Sequence, residues 1–236
     1  MRRLALIALF FACCAPKPVV LTTIPPTPGA STVQFDSLDA DIAAGRATLL
    51  SALMFRAAGK GKHGAVVALS DCAGITDAQI KWARELAAQG YSVVLPDSFG
   101  PRGVKDGCAD LRVVTRQRWR DAYAALAFLR AQSFVSGTHV AVLGWGDGAL
   151  TTIAAAGKKP DNAFDFRAAI AVRPDCSGPL TQVTYAPKML LYVFTGADPS
   201  PTCAELARRR IEIKLAPGDG SAELTNILFK HLSPKS

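Results

Sequence analysis

A glycine-rich pentapeptide between a predicted strand and a predicted helix has the spacing of a catalytic turn. Residues 144–148 (GWGDG) fill the frame Gly-x-Ser-x-Gly of a nucleophile elbow, a sharp turn that presents its central side chain for attack on a carbonyl. The central position is Gly146, which carries neither a hydroxyl nor a thiol. Glycine adopts the elbow backbone with little penalty, whereas other residues are strained there by roughly 1 to 3 kcal/mol. The frame therefore predicts an elbow whose nucleophile position is vacated.

Two other side chains could supply a nucleophile. Asp147 offers a carboxylate, but placing it at the elbow centre puts Trp145 where the turn needs a small residue. Cys72 offers a thiol, although no base is evident beside it and a disulfide would occupy its sulfur. We therefore favour a vacated nucleophile position, with Asp147 and Cys72 as the alternative nucleophiles of an unconventional hydrolase.

The three histidines lie far from the elbow in the predicted fold. His63 precedes the first core strand, and His139 sits about five residues before the elbow, roughly 16 Å away at the rise of a strand. His231 lies roughly ten residues into the last predicted helix, about 15 Å along its axis from the turn where a base is needed. We expect surface or packing roles for all three.

Apolar segments with strand and helix patterns alternate along the chain and must position these residues. Strands are predicted at 48–55, 64–70, 91–96, 138–144, 168–172, 189–195 and 211–215, and helices at 76–90, 117–131, 146–156, 202–209 and 222–232. Most of the strands are continuously apolar, which indicates burial on both faces. The pattern predicts a three-layer, doubly wound, mostly parallel sheet, with the strand at 48–55 antiparallel at one edge.

The strand-to-turn junctions resemble those of the dienelactone hydrolase family. The matching segments are 96–103 (PDSFGPRG), 121–126 (DAYAAL), the elbow frame and 196–198 (GAD), and the resemblance covers residues 35–232. It implies an α/β-hydrolase fold. It also implies hydrolysis of small ester or lactone bonds by a Cys or Ser nucleophile with a His and an Asp.

The resemblance assigns catalytic positions to residues that have changed. Gly146 takes the nucleophile position, Asp198 the retained acid position, and Ser221 the base position, in a turn without histidine. The family's oxyanion loop, of His-Gly-Cys-Gly-Gly type, is replaced by one in which Asp71 brings a carboxylate to the place where negative charge would develop. The other residues expected to line the vacated pocket are Ser70, Ser98 and Asp147.

Two functions are compatible with these changes. The first is a noncatalytic relative that binds a small ester, a carboxylate or a partner in the vacated pocket. The alternative is a weak or unconventional carboxylic ester or lactone hydrolase. No cofactor is expected, and scattered histidines without a Cys-x-x-Cys pair argue against a metal.

The chain is basic, with a formal net charge of +8. Its arginines at 116, 118 and 120 fall in a helical segment of mixed composition, which we interpret as a solvated helix face. We therefore expect no nucleic-acid partner. The oligomeric state does not follow from the sequence.

The amino terminus has the pattern of an export signal. Arg2 and Arg3 precede a nine-residue apolar run, Leu4–Ala12, which is shorter than the roughly 20 residues of a membrane-spanning helix. A small residue before Cys13 resembles the cleavage site of bacterial lipoproteins, although conventional signal cleavage nearby is an alternative. We expect an export signal at 1–14, lipid on Cys13, a Pro-rich tether at 15–32 and a domain at 33–236, on the periplasmic side of a bacterial membrane.

Four further cysteines form an even set, as expected for an exported protein. They allow three disulfide connectivities. Of these we predict Cys72–Cys108, between the altered oxyanion loop and the loop after Asp97, and Cys176–Cys203.

Overall fold

The structure is a computed structural model that describes residues 24–41, 46–109, 111–175, 189–195, 212–213 and 221–233. The strands are β1 (Ser31–Asp41), β2 (Arg46–Phe55), β3 (His63–Leu69), β4 (Ser92–Asp97), β5 (Val135–Trp145), β6 (Ala168–Val172), β7 (Leu190–Phe194) and β8 (Glu212–Ile213). The helices are α1 (Asp77–Ala88), α2 (Leu111–Arg130), α3 (Asp147–Gly157) and α4 (Ser221–Leu232), and a short 3₁₀ helix spans Gly100–Arg102.

These strands form one sheet in the order β1-β2-β4-β3-β5-β6-β7-β8. β2 is antiparallel to both of its neighbours, and from β4 to β8 every neighbouring pair is parallel. The predicted mostly parallel, doubly wound sheet is therefore confirmed. β3 lies near the centre of the sheet, between β4 and β5. The carboxyl end of β3 lies against the start of α3, at Gly148.

Two apolar layers cover the two faces of the sheet. On one face α2 and α3 contribute fully buried residues, among them Leu126 and Ile153. On the other face α1 and α4 contribute Leu86 and Leu228. Burial on both faces explains why the central strands are apolar at consecutive positions.

The predicted strand at 48–55 is present, but its position at the edge of the sheet was wrong. β2 lies between β4 and β1, and β1 covers the edge that β2 would otherwise expose. β1 was not predicted because most of its residues are polar, with Phe35 half-buried among exposed Gln34 and Asp36. An edge strand of this kind buries part of one face only, so it lacks the continuous apolar run of a central strand.

Helix α1 shows how local sequence sets an element boundary. The Thr76 hydroxyl accepts a hydrogen bond from the Gln79 amide, and the Gln79 side chain accepts one from the Thr76 amide, which completes a capping box. Helix α2 begins six residues before its predicted start. The predicted helix at 202–209 lies outside the described residues. In the part of the chain that the structure describes, no helix has the length and apolar character to span a membrane.

Part of the segment expected to be a tether packs on the folded body. Ile24 and Ala30 pack against the α1 layer, and Arg84 of α1 donates a hydrogen bond to the Pro28 carbonyl at 3.0 Å. β1 then begins at Ser31, two residues before the predicted start of the domain. The body therefore includes residues from about 24 onward.

Candidate functional site

The elbow frame forms a sharp turn from β5 into α3. Gly146 has φ 54° and ψ −116°, a left-handed conformation that disfavours residues with a side chain. Its carbonyl accepts hydrogen bonds from the Ala149 and Leu150 amides, which start the helix. A Cβ on Gly148 would collide with the carbonyls of Leu69 and Ser70, so that glycine lets α3 approach the end of β3 closely. The strand, turn and helix predicted for this frame are thus present.

The carboxylate of Asp71 occupies the space above this turn. Its Oδ1 accepts hydrogen bonds from the Cys72 amide at 2.7 Å and from the Asp147 amide at 2.8 Å. A Cβ built on Gly146 would lie 2.5 Å from Cγ and from both oxygens of Asp71. The carboxylate therefore stands where a nucleophile's side chain would begin.

The same two amides are the ones that an acyl-transfer enzyme would use. An oxyanion hole of this architecture combines the amide after the nucleophile with an amide from the loop that follows β3. Asp147 and Cys72 hold those positions, and their amides converge on one oxygen. Two amides thus stand in the positions of an oxyanion hole's donors, and both already donate to the Asp71 carboxylate.

A tight turn and a disulfide hold Asp71 in place. The Gly74 amide donates a hydrogen bond to the Asp71 carbonyl at 3.0 Å, which closes a turn over residues 71–74. Cys72 and Cys108 form a disulfide with a Cα–Cα distance of 4.7 Å, as predicted. The bond ties this turn to the loop after the 3₁₀ helix and engages the sulfur that would have made Cys72 a nucleophile. The other predicted pair, Cys176–Cys203, lies outside the described residues.

A buried arginine supports the elbow from beneath. Arg118 of α2 pairs with the Asp147 carboxylate, and its Nη2 donates to the Ser70 carbonyl. Its guanidinium lies over the Phe99 ring, 4.7 Å from the ring centre. The interpretation of this arginine as part of a solvated face was wrong, because Arg118 is only 1 % exposed and lies on the side of α2 that faces the sheet.

Burial makes this cation dependent on its partners. Desolvation lowers the pKa of Arg118 below its ordinary value, while the carboxylates of Asp147, Asp121 and Asp71 act in the opposite direction. A guanidinium loses its proton only far above neutral pH, so Arg118 keeps its positive charge here. A buried cation without a partner is costly, so Arg118 and Asp147 stabilise each other.

A second, largely buried pair lies one helical turn along α2 from Arg118. Arg102 donates hydrogen bonds to both oxygens of Asp121 at 2.8 Å, and to the Ser98 carbonyl at 2.8 Å. The Ser37 hydroxyl donates to Asp121 Oδ1 at 2.6 Å. This network joins β1, α2 and the 3₁₀ helix.

Residues 50–217 match the dienelactone hydrolase family. The chain belongs to the dienelactone hydrolase family. No curated protein sequence matches the chain.

Solved α/β-hydrolase structures share the fold of this dienelactone hydrolase relative. A protein designated m3DLH is 20% identical with a TM-score of 0.65, over 87% of this chain and 100% of that one. The α/β hydrolase GrgF of Penicillium sp. sh18 is 16% identical with a TM-score of 0.61, over 86% and 99% of the two chains. Dipeptidyl peptidase 4 of Porphyromonas gingivalis is 16% identical with a TM-score of 0.61 over 86% of this chain, which spans only 35% of that protein. At these identities the likeness concerns the fold.

The remaining predicted site residues of this family member differ in their burial and in whether the structure describes them. Ser70 and Ser98 are 1% exposed, so they lie beneath the surface of the site. Asp147 is also buried, in its pair with Arg118. Asp198 lies outside the described residues. Ser221 begins α4, and the turn before it lies outside the described residues.

The histidines have partners away from the elbow. His139 Nδ1 lies 2.9 Å from the Ser136 hydroxyl on β5, and buried His231 Nε2 lies 2.7 Å from the Tyr192 hydroxyl. His63 starts β3, at the end of the strand opposite Asp71. In the described part of the chain, no group of three His, Cys, Asp or Glu side chains is arranged to hold a metal ion.

Sequence reasoning missed a groove beside the site. Its volume is about 660 Å³, and it lies between residues 24–28, the loop at 72–75 and the segment from Asp97 to Gly107. One wall is the packed part of the expected tether, so the groove could not be anticipated while residues 24–32 were interpreted as unpacked. The elbow glycine is not among its lining residues.

Proposed function

We propose that this dienelactone hydrolase relative is an exported, noncatalytic protein that binds a small molecule or a partner in the vacated site. The observation that carries the proposal is the Asp71 carboxylate, which receives both oxyanion amides and covers Gly146. One side chain thus fills the space of the nucleophile and the space of the oxyanion.

Acyl transfer fails at two steps in this arrangement. An ester needs a nucleophile, and removing the nucleophile of a triad hydrolase costs on the order of 10⁶ in turnover. The tetrahedral intermediate also needs donors for its oxyanion, and losing one donor alone costs about 10² to 10³. Here the donors already bind an anion, and a substrate oxyanion would meet a like charge.

The alternative nucleophiles are engaged. Asp147 is buried in an ion pair with Arg118, and Cys72 is in a disulfide. Each would have to lose a stabilising partner before it could attack a substrate. This supports binding over an unconventional hydrolysis.

Export and lipid attachment are part of the proposal. The charged start, the short apolar run and Cys13 support them, and a disulfide at Cys72–Cys108 fits an oxidising compartment. Metabolic labelling with a palmitate analogue tests the anchor. We expect label on Cys13, whereas a secreted, unlabelled product that begins at or after Ala15 would remove the anchor and leave export intact.

An esterase assay with a covalent probe tests the catalytic part. The purified protein is offered p-nitrophenyl acetate, a lactone and an electrophilic active-site probe, beside an active family member. We expect no turnover above buffer and no stoichiometric labelling. Robust turnover that is abolished by Asp147→Asn, and retained in the exposed control Asp161→Asn, would show that the protein is an unconventional hydrolase.

A further inference from the structure

The two oxygens of the Asp71 carboxylate have different surroundings. Oδ1 accepts both amide hydrogen bonds, from Cys72 and Asp147. No hydrogen bond from a described residue reaches Oδ2, and the side chain is only partly buried. The carboxylate is therefore fixed through one oxygen and offers the other as an acceptor.

Among the described residues, the charges around Asp71 do not cancel. Arg118 is paired with Asp147, and Arg102 is paired with Asp121. Among the described residues, Asp71 has no cation within ion-pair distance, so it adds one negative charge to the site. Arg118 acts on it only through space.

From this geometry we infer that the site takes a ligand with a cationic nitrogen, such as a primary ammonium or an amidinium, which donates a hydrogen bond to Asp71 Oδ2. The inference rests on the proposed function, because it gives the ligand class of the same vacated site. A carbonyl or carboxylate, which the family resemblance favours, has no unoccupied amide to bind and faces a like charge. Asp71 thus determines that the site prefers a cationic ligand to an anionic one.

The fixed carboxylate is suited to this role. Two amides and the turn at 71–74 orient it before a ligand arrives, so little side-chain entropy remains to be lost on binding. A hydrogen bond to an ionised acceptor is about twice as strong as one between neutral groups, so the carboxylate favours ligands that donate a hydrogen bond. An ammonium adds the Coulomb attraction of opposite charges, which a neutral donor of the same shape lacks.

Three probes with one aromatic body test the inference: benzylammonium, benzyl alcohol and benzoate. Each is titrated into the purified full chain at neutral pH, and binding is followed by NMR at the Cys72 and Asp147 amides. We expect benzylammonium to bind about tenfold more tightly than benzoate, with benzyl alcohol between them, as one charge-assisted hydrogen bond allows.

Two substitutions of Asp71 should change this order in different ways. Asp71→Asn keeps the shape and removes the charge, so the preference for benzylammonium should disappear. Asp71→Ala removes the internal anion and releases both amides above Arg118, so benzoate should become the tighter ligand. Asp161→Asn makes the same chemical change at an exposed site and should leave the order unchanged.

The inference is overturned by any of three results: benzylammonium does not perturb these amides, benzoate binds the parent as tightly, or the preference survives in Asp71→Asn. None of these results bears on catalysis, which the esterase assay decides independently. Ester turnover with an intact ammonium preference would overturn the proposed function alone.

Discussion

Helix α2 contributes one partner to each of two buried arginine–carboxylate pairs, and the pairs differ in how completely they are closed. Asp121 accepts two hydrogen bonds from Arg102 and one from Ser37. Arg118 instead divides its hydrogen bonds between Asp147 and the Ser70 carbonyl. In the first pair, which we call the closed network, Arg102 and Ser37 together bind both oxygens of Asp121. The second pair lies beneath a third carboxylate, Asp71, which has no cation within ion-pair distance among the described residues.

The difference separates a structural pair from a pair that supports a site. The Asp121 network joins the edge strand, the 3₁₀ helix and α2, and none of its hydrogen bonds reaches the elbow turn or Asp71. The Arg118 pair fixes the first residue of α3, whose amide holds Asp71. Substitutions in the closed network should therefore cost stability, and substitutions around Asp71 should change the chemistry of the site at a smaller cost in stability.

The largest loss of stability is expected from Asp121→Ala. The substitution leaves Arg102 buried without its carboxylate, and breaking a buried pair in this way costs about 3 to 5 kcal/mol. Chemical denaturation of parent and variant measures the difference. The ligand preference of the site should stay that of the parent under conditions where the variant is folded.

Asp165→Ala is the matched control for this prediction. Asp165 also pairs with a basic residue, Lys159, but its side chain is 61% exposed. An exposed pair contributes less than about 1 kcal/mol. If the two variants lose equal stability, the closed network has no special structural role.

The framework of the fold follows from local sequence, and the charged interior does not. Apolar runs such as 168–172 predict their strands because both faces are buried, and the predicted bounds of that strand match β6. β1 escapes prediction because Phe35 alternates with exposed polar residues. Arg118 has the composition of a surface residue, and its burial depends on Asp147, which is 29 residues away in the chain.

The site was predicted in outline for a related reason. The glycine frame sets the elbow locally, and the family resemblance places Asp71 near it. The hydrogen bond from the Asp147 amide to Asp71 joins residues 76 positions apart. Only the folded sheet therefore shows that the carboxylate accepts hydrogen bonds from both amides at the oxyanion position. Proximity could be predicted from sequence, but the pairing of donor and acceptor could not.

A smaller loss is expected from removing the disulfide beside Asp71. Cys72→Ser with Cys108→Ser removes a cross-link between residues 36 positions apart in sequence, and the chain-entropy cost of such a change is about 3 to 4 kcal/mol. The Cys72 amide should also exchange its hydrogen faster, because the turn that holds it is no longer tied to the loop after the 3₁₀ helix. Denaturation and hydrogen exchange measure the two effects.

The control for this variant is a reductant. Dithiothreitol should lower the stability of the parent by a similar amount, and its effect on the double variant reports any other disulfide. Unchanged exchange at the amide of residue 72 in the double variant would mean that the turn at 71–74 holds Asp71 without help from the disulfide.

The smallest and most informative effect is expected from Gly146→Ser. The new Cβ would meet the Asp71 carboxylate in a left-handed backbone, so we expect a loss of about 1 to 3 kcal/mol and no ester cleavage. Asp71→Ala removes the clash, so the double variant should be more stable than the sum of the single effects, by about 1 kcal/mol for two groups in contact. Denaturation of the parent, both single variants and the double variant gives this coupling. Additive losses would place the carboxylate away from the elbow and remove the basis for a filled oxyanion site. Esterase activity in the double variant would show that a base already faces Gly146, since a serine hydroxyl needs one to attack.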